Sequence, residues 1–562
     1  MSQFNHLKTY QGENQSYPPL NEYPRPALKR DSFFNLNGWW DFRFEDETKM
    51  RKILVPYVCE SLLSGINELS AGRDLFYCRT FSLPQGFIKD KVLLHFGAVD
   101  QIASVHLNGT LLGTCAGGYF PFSFDITDLL REENLLEVKV EDKLDLRLPY
   151  GKQSNKRGGM WYTTCSGIWQ TVWIESVPEN YIESFDISCT LEQARITFKG
   201  IETGEVSVEE NGTTVKYEIK DGVAVITPEN PIYWSPENPH LYHFTAKSGK
   251  DEISSYFALR TLEIKDCNGV NRLCLNGEKY FFSAVLDQGY FSDGIFTPAS
   301  EKSFEEDILA MKRLGFNTLR KHIKVEPQIF YYLCDKLGMV VFQDMINNST
   351  YSFLRDTALP TIGLKRLNDK FLHRNKISRK NFISSMVETV NLLKNHPCIC
   401  LWTIFNEGWG QFEATKAYRL LKSMDSSRFI DSASGWFACC ESDVESLHIY
   451  FKKLKAKKSD KPIIISEFGG YALSLKDHVF NENNEYGYSK YTDISTFNEA
   501  LERLFEEELL PLIKSGVCAS VYTQLSDVED ETNGLLTYDR KICKASDSFA
   551  EINKMLYEEI KK

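Results

Sequence analysis

A chain of 562 residues is too long for one hydrophobic core and implies about three or four domains. Its 42% hydrophobic and 25% charged content are those of an ordinary globular protein, which excludes a disordered or fibrous chain. The net charge of −12 argues against a nucleic acid or an anionic membrane surface as partner.

The polar N-terminal stretch, Met1 to Gln15, lacks the apolar centre of a signal peptide, and nowhere do ~20 apolar residues run together as a membrane span requires. The 14 cysteines are scattered without a Cys-x-x-Cys pair, so free thiols in a reducing cytoplasm are expected.

From Asn21 to Glu175 the chain carries short strand-like runs: Gly38–Phe44, Leu75–Phe81, Val92–Phe96, Ser104–Leu107 and Leu135–Val140. Turn signals separate them, Asn108-Gly109 being a strong hairpin cue, and the pattern predicts an antiparallel sandwich. Tyr181 to Lys265 repeats this on a smaller scale, with turns at Asn211-Gly212 and Asp221-Gly222, and its size fits an immunoglobulin-like sandwich. After Asn276-Gly277, strand-like and helix-like windows alternate, the mark of βα units. Eight strands are expected: Lys279–Leu286, Asn317–His322, Met339–Asp344, Cys398–Asn406, Arg428–Ala433, Ser446–Tyr450, Pro462–Glu467 and Val517–Gln524. Helices such as Ser303–Leu314, Phe382–Leu393 and Phe497–Lys514 fill the gaps, and the insertion Asn347–Arg379 should stand over the barrel mouth.

Two of these strands lead into a glutamate. Asn395-His-Pro leads into the apolar run Cys398–Ile404 and then Asn406-Glu407, and Pro462-Ile-Ile-Ile-Ser leads into Glu467. In a (β/α)8 barrel the C-terminal strand ends carry the active site, and two carboxylates there are what glycoside hydrolysis needs.

Asn395-His-Pro, Trp402 and Asn406-Glu407, with Ser166-Gly-Ile-Trp-Gln-Thr-Val-Trp-Ile-Glu175 and Trp234-Ser-Pro-Glu-Asn-Pro-His-Leu-Tyr242, resemble glycoside hydrolase family 2. The family contains β-galactosidases, β-glucuronidases and β-mannosidases, and the chain resembles its compact three-domain members. The resemblance implies a jelly-roll sugar-binding sandwich at 1–178, an immunoglobulin-like sandwich at 179–266 and a catalytic TIM barrel at 267–562. It makes Glu407 the general acid/base and Glu467 the nucleophile. Asn406 would bond the sugar 2-hydroxyl, Tyr450 would touch the nucleophile, and Arg320 would keep it ionised. His322, Trp161 and Trp436 join the expected substrate-binding set. Tyr522 joins it too, where stacking on sugar and core packing are equal readings.

The chain also departs from the pattern. Gly159 stands where the large β-galactosidases carry an aspartate before Met-Trp, so Gly151-Lys152-Gln153 is either a source of replacement donors or a solvated loop. Glu531-Thr532-Asn533 stands where the β-glucuronidases carry Asn-x-Lys, although Lys321 and Lys324 could reach the same region. The expectation is a cytoplasmic retaining exo-β-glycosidase acting on a terminal neutral β-hexoside, most like a β-galactosidase, with β-glucosidase as the alternative. A catalytically silent carbohydrate-binding protein is the rival from another class. No cofactor, metal, nucleic acid or membrane is expected, and a homo-oligomer is a family expectation.

Overall fold

The computed structural model describes residues 4–562 apart from 211, 362–368 and 439. Period-two burial builds the first sandwich. In Gly38–Phe44, Trp40, Phe42 and Phe44 point into the core while Trp39 faces solvent. One sheet runs Arg51–Val55, Gly38–Phe44, Leu75–Phe81, Asn134–Glu141, Ile102–Leu107, Thr110–Ala116. The facing sheet runs Phe34–Asn35, Val172–Val177, Lys91–Phe96, Phe122–Asp125. Asn108 and Gly109 turn the last hairpin of the larger sheet with φ of +53° and +83°, as its tight two-residue loop requires.

The second sandwich packs Ser184–Cys189, Ala194–Lys199 and Val223–Ile226 against a four-stranded sheet that ends at Asp251–Phe257. Asp221-Gly222 makes its expected turn, with φ of +50° and +70°. Asn211, half of the other expected turn, lies outside the described residues.

The eight expected barrel strands all form: β1 (Phe282–Asp287), β2 (Thr318–Lys321), β3 (Val340–Asp344), β4 (Ile399–Asn406), β5 (Phe429–Ser434), β6 (Glu445–Ile449), β7 (Ile463–Gly469) and β8 (Val517–Thr523). They are parallel and lie in the order β5-β4-β3-β2-β1-β8-β7-β6. The first starts later than expected because Glu278–Lys279 pairs back on Leu275 in a small antiparallel sheet. Between β5 and β6 side chains do the joining: Ser446 Oγ donates to Asp431 Oδ2 at 2.6 Å and lies 3.3 Å from Ser434 Oγ.

Helix α1 (Glu301–Arg313) matches expectation closely, whereas helix α2 (Lys376–Leu393) starts before the expected Phe382, inside the expected insertion, where Asn375 caps it by accepting from the Ile377 and Ser378 amides. The expected helix Phe497–Lys514 is interrupted. A regular helix over Ile494–Arg503 loosens into wider turns at Leu504–Leu509, just ahead of Pro511, which has no N–H to continue the ladder.

The two sandwiches dock at opposite ends of the barrel. The second holds the strand starts: Arg260 donates to the carbonyls of Pro397 and Ile399 at 2.7 and 2.6 Å. The first meets the strand ends, where the Tyr150 amide donates to Asn347 O and the Thr163 amide to Glu529 Oε1. The described part of the insertion also lies at this end, with Tyr351 edge-on to Trp161 and Trp409; residues 362–368 of it are outside the described set. The first sandwich thus becomes one wall of whatever site the barrel mouth holds.

Candidate active site

Strand β4 is buried along its whole length, and its register brings Asn406 and Glu407 out at the mouth. Glu407 sits at φ +50°, just past the strand, with its amide bonded to Ser434 O at 2.9 Å on neighbouring β5. That left-handed step turns the side chain inward. Glu467, near the end of β7, is 6% exposed. A carboxylate oxygen of each lies within 4.8 Å of one of the other, so barrel closure has brought the two together.

Arg320 organises the floor of the site. Its Nε donates to both oxygens of Asp344 at 3.0 and 3.1 Å, and its Nη1 to Ser466 O at 2.9 Å and Glu467 Oε1 at 3.3 Å. Its Nη2 donates to Asn406 Oδ1 at 2.8 Å, which fixes the amide and aims its NH2 away from the guanidinium. Burial alone would raise Asp344, but Arg320 and His322 hold it below the ordinary carboxylate value. His322 Nδ1 lies 2.7 Å from Asp344, and burial, helped by Lys152 and only partly offset by Asp344, lowers its pKa to about 4. The ring is therefore neutral at physiological pH.

Tyr450 donates its hydroxyl to Glu467 Oε2 at 2.8 Å and stacks on Tyr488 at 3.8 Å. Burial first, and the charge of Glu467 second, push this phenol well above its ordinary value, so it remains a donor. Trp161 stacks on Trp409 at 5.3 Å, and Trp436 lies 5.8 Å from the His448 ring, at the rim.

Of its two readings, Tyr522 takes core packing and leaves the substrate-binding set. It is fully buried in the layer outside the sheet, edge-on to Phe468 at 5.8 Å, while its neighbour Thr523 faces the site and contacts Tyr450 at 2.8 Å. Strand alternation lets only one of the two face inward. Lys321 and Lys324 are not free for a ligand either. Lys321 pairs with Asp287 and Glu326 at 2.6 and 2.8 Å, and Lys324 with Glu326 at 2.9 Å.

Two participants, His448 and Asp344, emerge only from the structure. His448 places Nδ1 2.8 Å from Glu407 Oε1 and 3.5 Å from Glu467 Oε2. It stands two residues before Tyr450, on the same strand face, and that spacing was the available signal. Asp344 is a third strand-end carboxylate. Lys152 is no solvated loop residue: it is 7% exposed, lies 5.7 and 5.8 Å from the Tyr162 and Trp409 ring centres, and has no hydrogen-bond acceptor or carboxylate partner among the described residues.

Glu407, His448 and Glu467 could in principle ligate a divalent ion, since one donor atom of each falls within 4.8 Å of the others. Such an ion would have to compete with the Arg320 guanidinium, already 3.3 Å from Glu467.

The fold and site together define a two-carboxylate barrel protein with two β-sandwiches attached. Family comparison agrees with that class. Residues 297–542 match the model "Glycosyl hydrolases family 2, TIM barrel domain", 56–166 match "Glycosyl hydrolase 2 galactose-binding domain-like", and 174–260 match "Glycosyl hydrolases family 2". The chain belongs to glycoside hydrolase family 2.

A β-galactosidase of Thermoanaerobacter pseudethanolicus is 26% identical over 66% of this chain and 49% of its own length. Human β-glucuronidase is 24% identical over 80% of each chain. The matched region spans about half or less of the first curated relatives. Among solved structures, a β-glucuronidase of an uncultured Clostridium superposes with a TM-score of 0.72 at 17% identity, covering 96% of this chain and 100% of its own. A galacturonate-bound β-galacturonidase of Eisenbergiella tayi gives 0.68 at 19%, covering 95% and 99%; at such identities these likenesses speak for the fold.

Proposed function

We propose that this protein is a retaining exo-β-glycosidase that releases a terminal β-hexose from a small glycoside. The observation that carries this is the spacing of Glu407 and Glu467, whose nearest oxygens lie within 4.8 Å. Carboxyl groups about 5–5.5 Å apart support double displacement, whereas inversion needs about 6.5–9.5 Å to seat a water between them.

In the first step Glu467 attacks the anomeric carbon as the glycosidic C–O bond breaks, and Glu407 gives its proton to the leaving oxygen. In the second, ionised Glu407 takes a proton from water, the water oxygen attacks the same carbon, and the ester electrons return to Glu467. Arg320 and Tyr450 both donate to Glu467 and hold its carboxylate in place for attack. Asn406, held by Arg320, is aimed to bond the 2-hydroxyl as the oxocarbenium ion develops. The first sandwich with Trp161, the insertion with Tyr351 and the loop after β4 with Trp409 wall the mouth, which suits a chain end rather than a chain interior.

For the sugar, the neutral hexoside read from the sequence rests on Glu531. That carboxylate is taken up by the Tyr162 hydroxyl and by Asn533 Nδ2, so it has little left to offer a ligand. Lys152 favours the other reading, a β-uronide. Its ammonium lies among aromatic rings at the mouth without a carboxylate partner among the described residues, and a substrate carboxylate would pair with it. Some of the structural relatives bear the names β-glucuronidase and β-galacturonidase, which fits. We take the uronide as the better supported, with β-galactoside and β-glucoside as alternatives.

The domain divisions at 178/179 and 266/267, a cytoplasmic location and a homo-oligomeric state belong to the same proposal. The described cysteines are all free, and no described helix is long and apolar enough to cross a membrane. A panel of nitrophenyl β-glucuronide, β-galacturonide, β-galactoside and β-glucoside tests the reading. The highest kcat/KM should fall on a uronide, preference for a neutral sugar would return the choice to the sequence reading, and no turnover of any would leave a carbohydrate-binding protein.

A further inference from the structure

The retaining cycle keeps one negative charge in the site but moves it. In the free enzyme the charge is on Glu467 and Glu407 is protonated. In the glycosyl-enzyme Glu467 is a neutral ester and Glu407 carries the charge. The donors described so far serve only the first resting place: Arg320 and Tyr450 both bond Glu467. Around Glu407 the described donor is His448, whose Nδ1 is 2.8 Å from Oε1. The same nitrogen is 3.5 Å from Glu467 Oε2, so it faces both resting places of the charge.

We propose that His448 is a positioning residue that presents Nδ1–H to the site's migrating charge, and that its main effect is to stabilise ionised Glu407 in the glycosyl-enzyme. The proposal rests on the retaining reading above. The ring is well fixed for this. Its side chain is fully buried, Nε2 lies 2.9 Å from Ser434 Oγ, and Nδ1 faces carboxylate oxygens of both Glu407 and Glu467, which favours the tautomer with its proton on Nδ1. Ser434 also holds the Glu407 amide through its carbonyl, so one residue fixes both ends of the contact. Gly435 leaves room for the ring, since a Cβ there would lie 2.6 Å from His448 Cγ. With Oε1 occupied by Nδ1–H, the proton Glu407 delivers in the first step sits on Oε2, facing the leaving oxygen.

The consequence is a loss confined to the second step. With a 2,4-dinitrophenyl glycoside of the sugar chosen by the panel, the leaving group needs no acid and deglycosylation limits kcat. H448A should lower kcat about 10- to 100-fold at the acidic end of the profile, where Glu407, without its N–H partner, takes a proton in the glycosyl-enzyme and no longer acts as base, and the loss should fade as pH rises. It should leave kcat/KM within a few-fold, because that ratio reports glycosylation. Azide, a nucleophile that needs no general base, should restore kcat and yield the glycosyl azide. H448N, whose Nδ2 can stand near the place of Nδ1, should keep most of the activity without azide.

A purely structural histidine would lower kcat and kcat/KM together and show no azide rescue; that result, or H448N as poor as H448A, overturns the proposal. Wild-type protein gives a check free of folding artefacts. After trapping with a 2-deoxy-2-fluoro glycoside, the 15N spectrum should show His448 protonated on Nδ1, and a bare Nδ1 would equally overturn it. Retention of configuration with equal losses would reject this role alone, whereas inversion would reject the reading beneath it.

Discussion

Replacing Arg320 by methionine removes the cation that Glu467, Asp344 and Asn406 share. At 3.3 Å from Glu467 Oε1, with an effective dielectric constant near 20, the attraction is about 5 kcal/mol. That is an upper bound, because Asp344 takes up part of the same field at 3.0 Å. A net rise of about 1–2 pH units in the acidic limb of kcat/KM is the expected residue of this loss. Asn406 loses its 2.8 Å anchor as well, so the height of the profile should fall about 100-fold or more. Two buried carboxylates are left without their cation, at a stability cost of about 3–5 kcal/mol. The assay is the full pH profile of R320M on an activated glycoside, beside R320K, with circular dichroism to establish folding. R320K should lose height but keep the acidic limb in place, because the charge remains while the directed contacts do not. An unmoved limb in folded R320M would refute the coupling between this arginine and the nucleophile.

E407Q should slow turnover of poor leaving groups by about 100-fold or more yet largely spare glycosylation by dinitrophenyl glycosides; equal losses on both would remove Glu407 from the acid role. K152Q should cut kcat/KM for the preferred uronide about 10- to 100-fold while changing that for the matching neutral glycoside far less, and parallel losses would place Lys152 outside the carboxylate's reach. His322, with a pKa of about 4 in the fold and near 6.5 when unfolded, should stay neutral by imidazole NMR as pH falls to about 4. Because the unfolded chain binds that proton first, about 3 kcal/mol of stability should be lost progressively between about pH 6.5 and 4, and H322Q should lack this part of the acid sensitivity. A ring that titrates near 6.5 in the native protein would contradict it.

The barrel was legible because its strands are written as apolar runs of the right length with polar ends, as in Cys398–Asn406. What decided the ends was long-range: Glu278–Lys279 left the first strand for a hairpin whose partner lies at Leu275. The two carboxylates were legible through their strand-end positions and flanking motifs. Tyr522 stayed open between stacking and core packing because the last residues of β8 differ by one position in the face they present, and no local feature told Tyr522 from Thr523. His448 was missed as a participant, and Lys152 stayed open between donor and solvated loop, for a different reason. A histidine inside a strand and a lysine in a Gly-rich loop have ordinary structural readings. Only the contact of His448 with carboxylates on β4 and β7, and the closing of the first sandwich over the mouth around Lys152, give them a role.

The most direct test of the account is the anomeric configuration of the first product. Proton NMR during rapid hydrolysis of the best β-glycoside should show the β-hexose accumulating first, with the α-anomer appearing later by mutarotation. If the α-anomer formed first, Glu467 would not be a nucleophile and double displacement by this pair of carboxylates would be wrong.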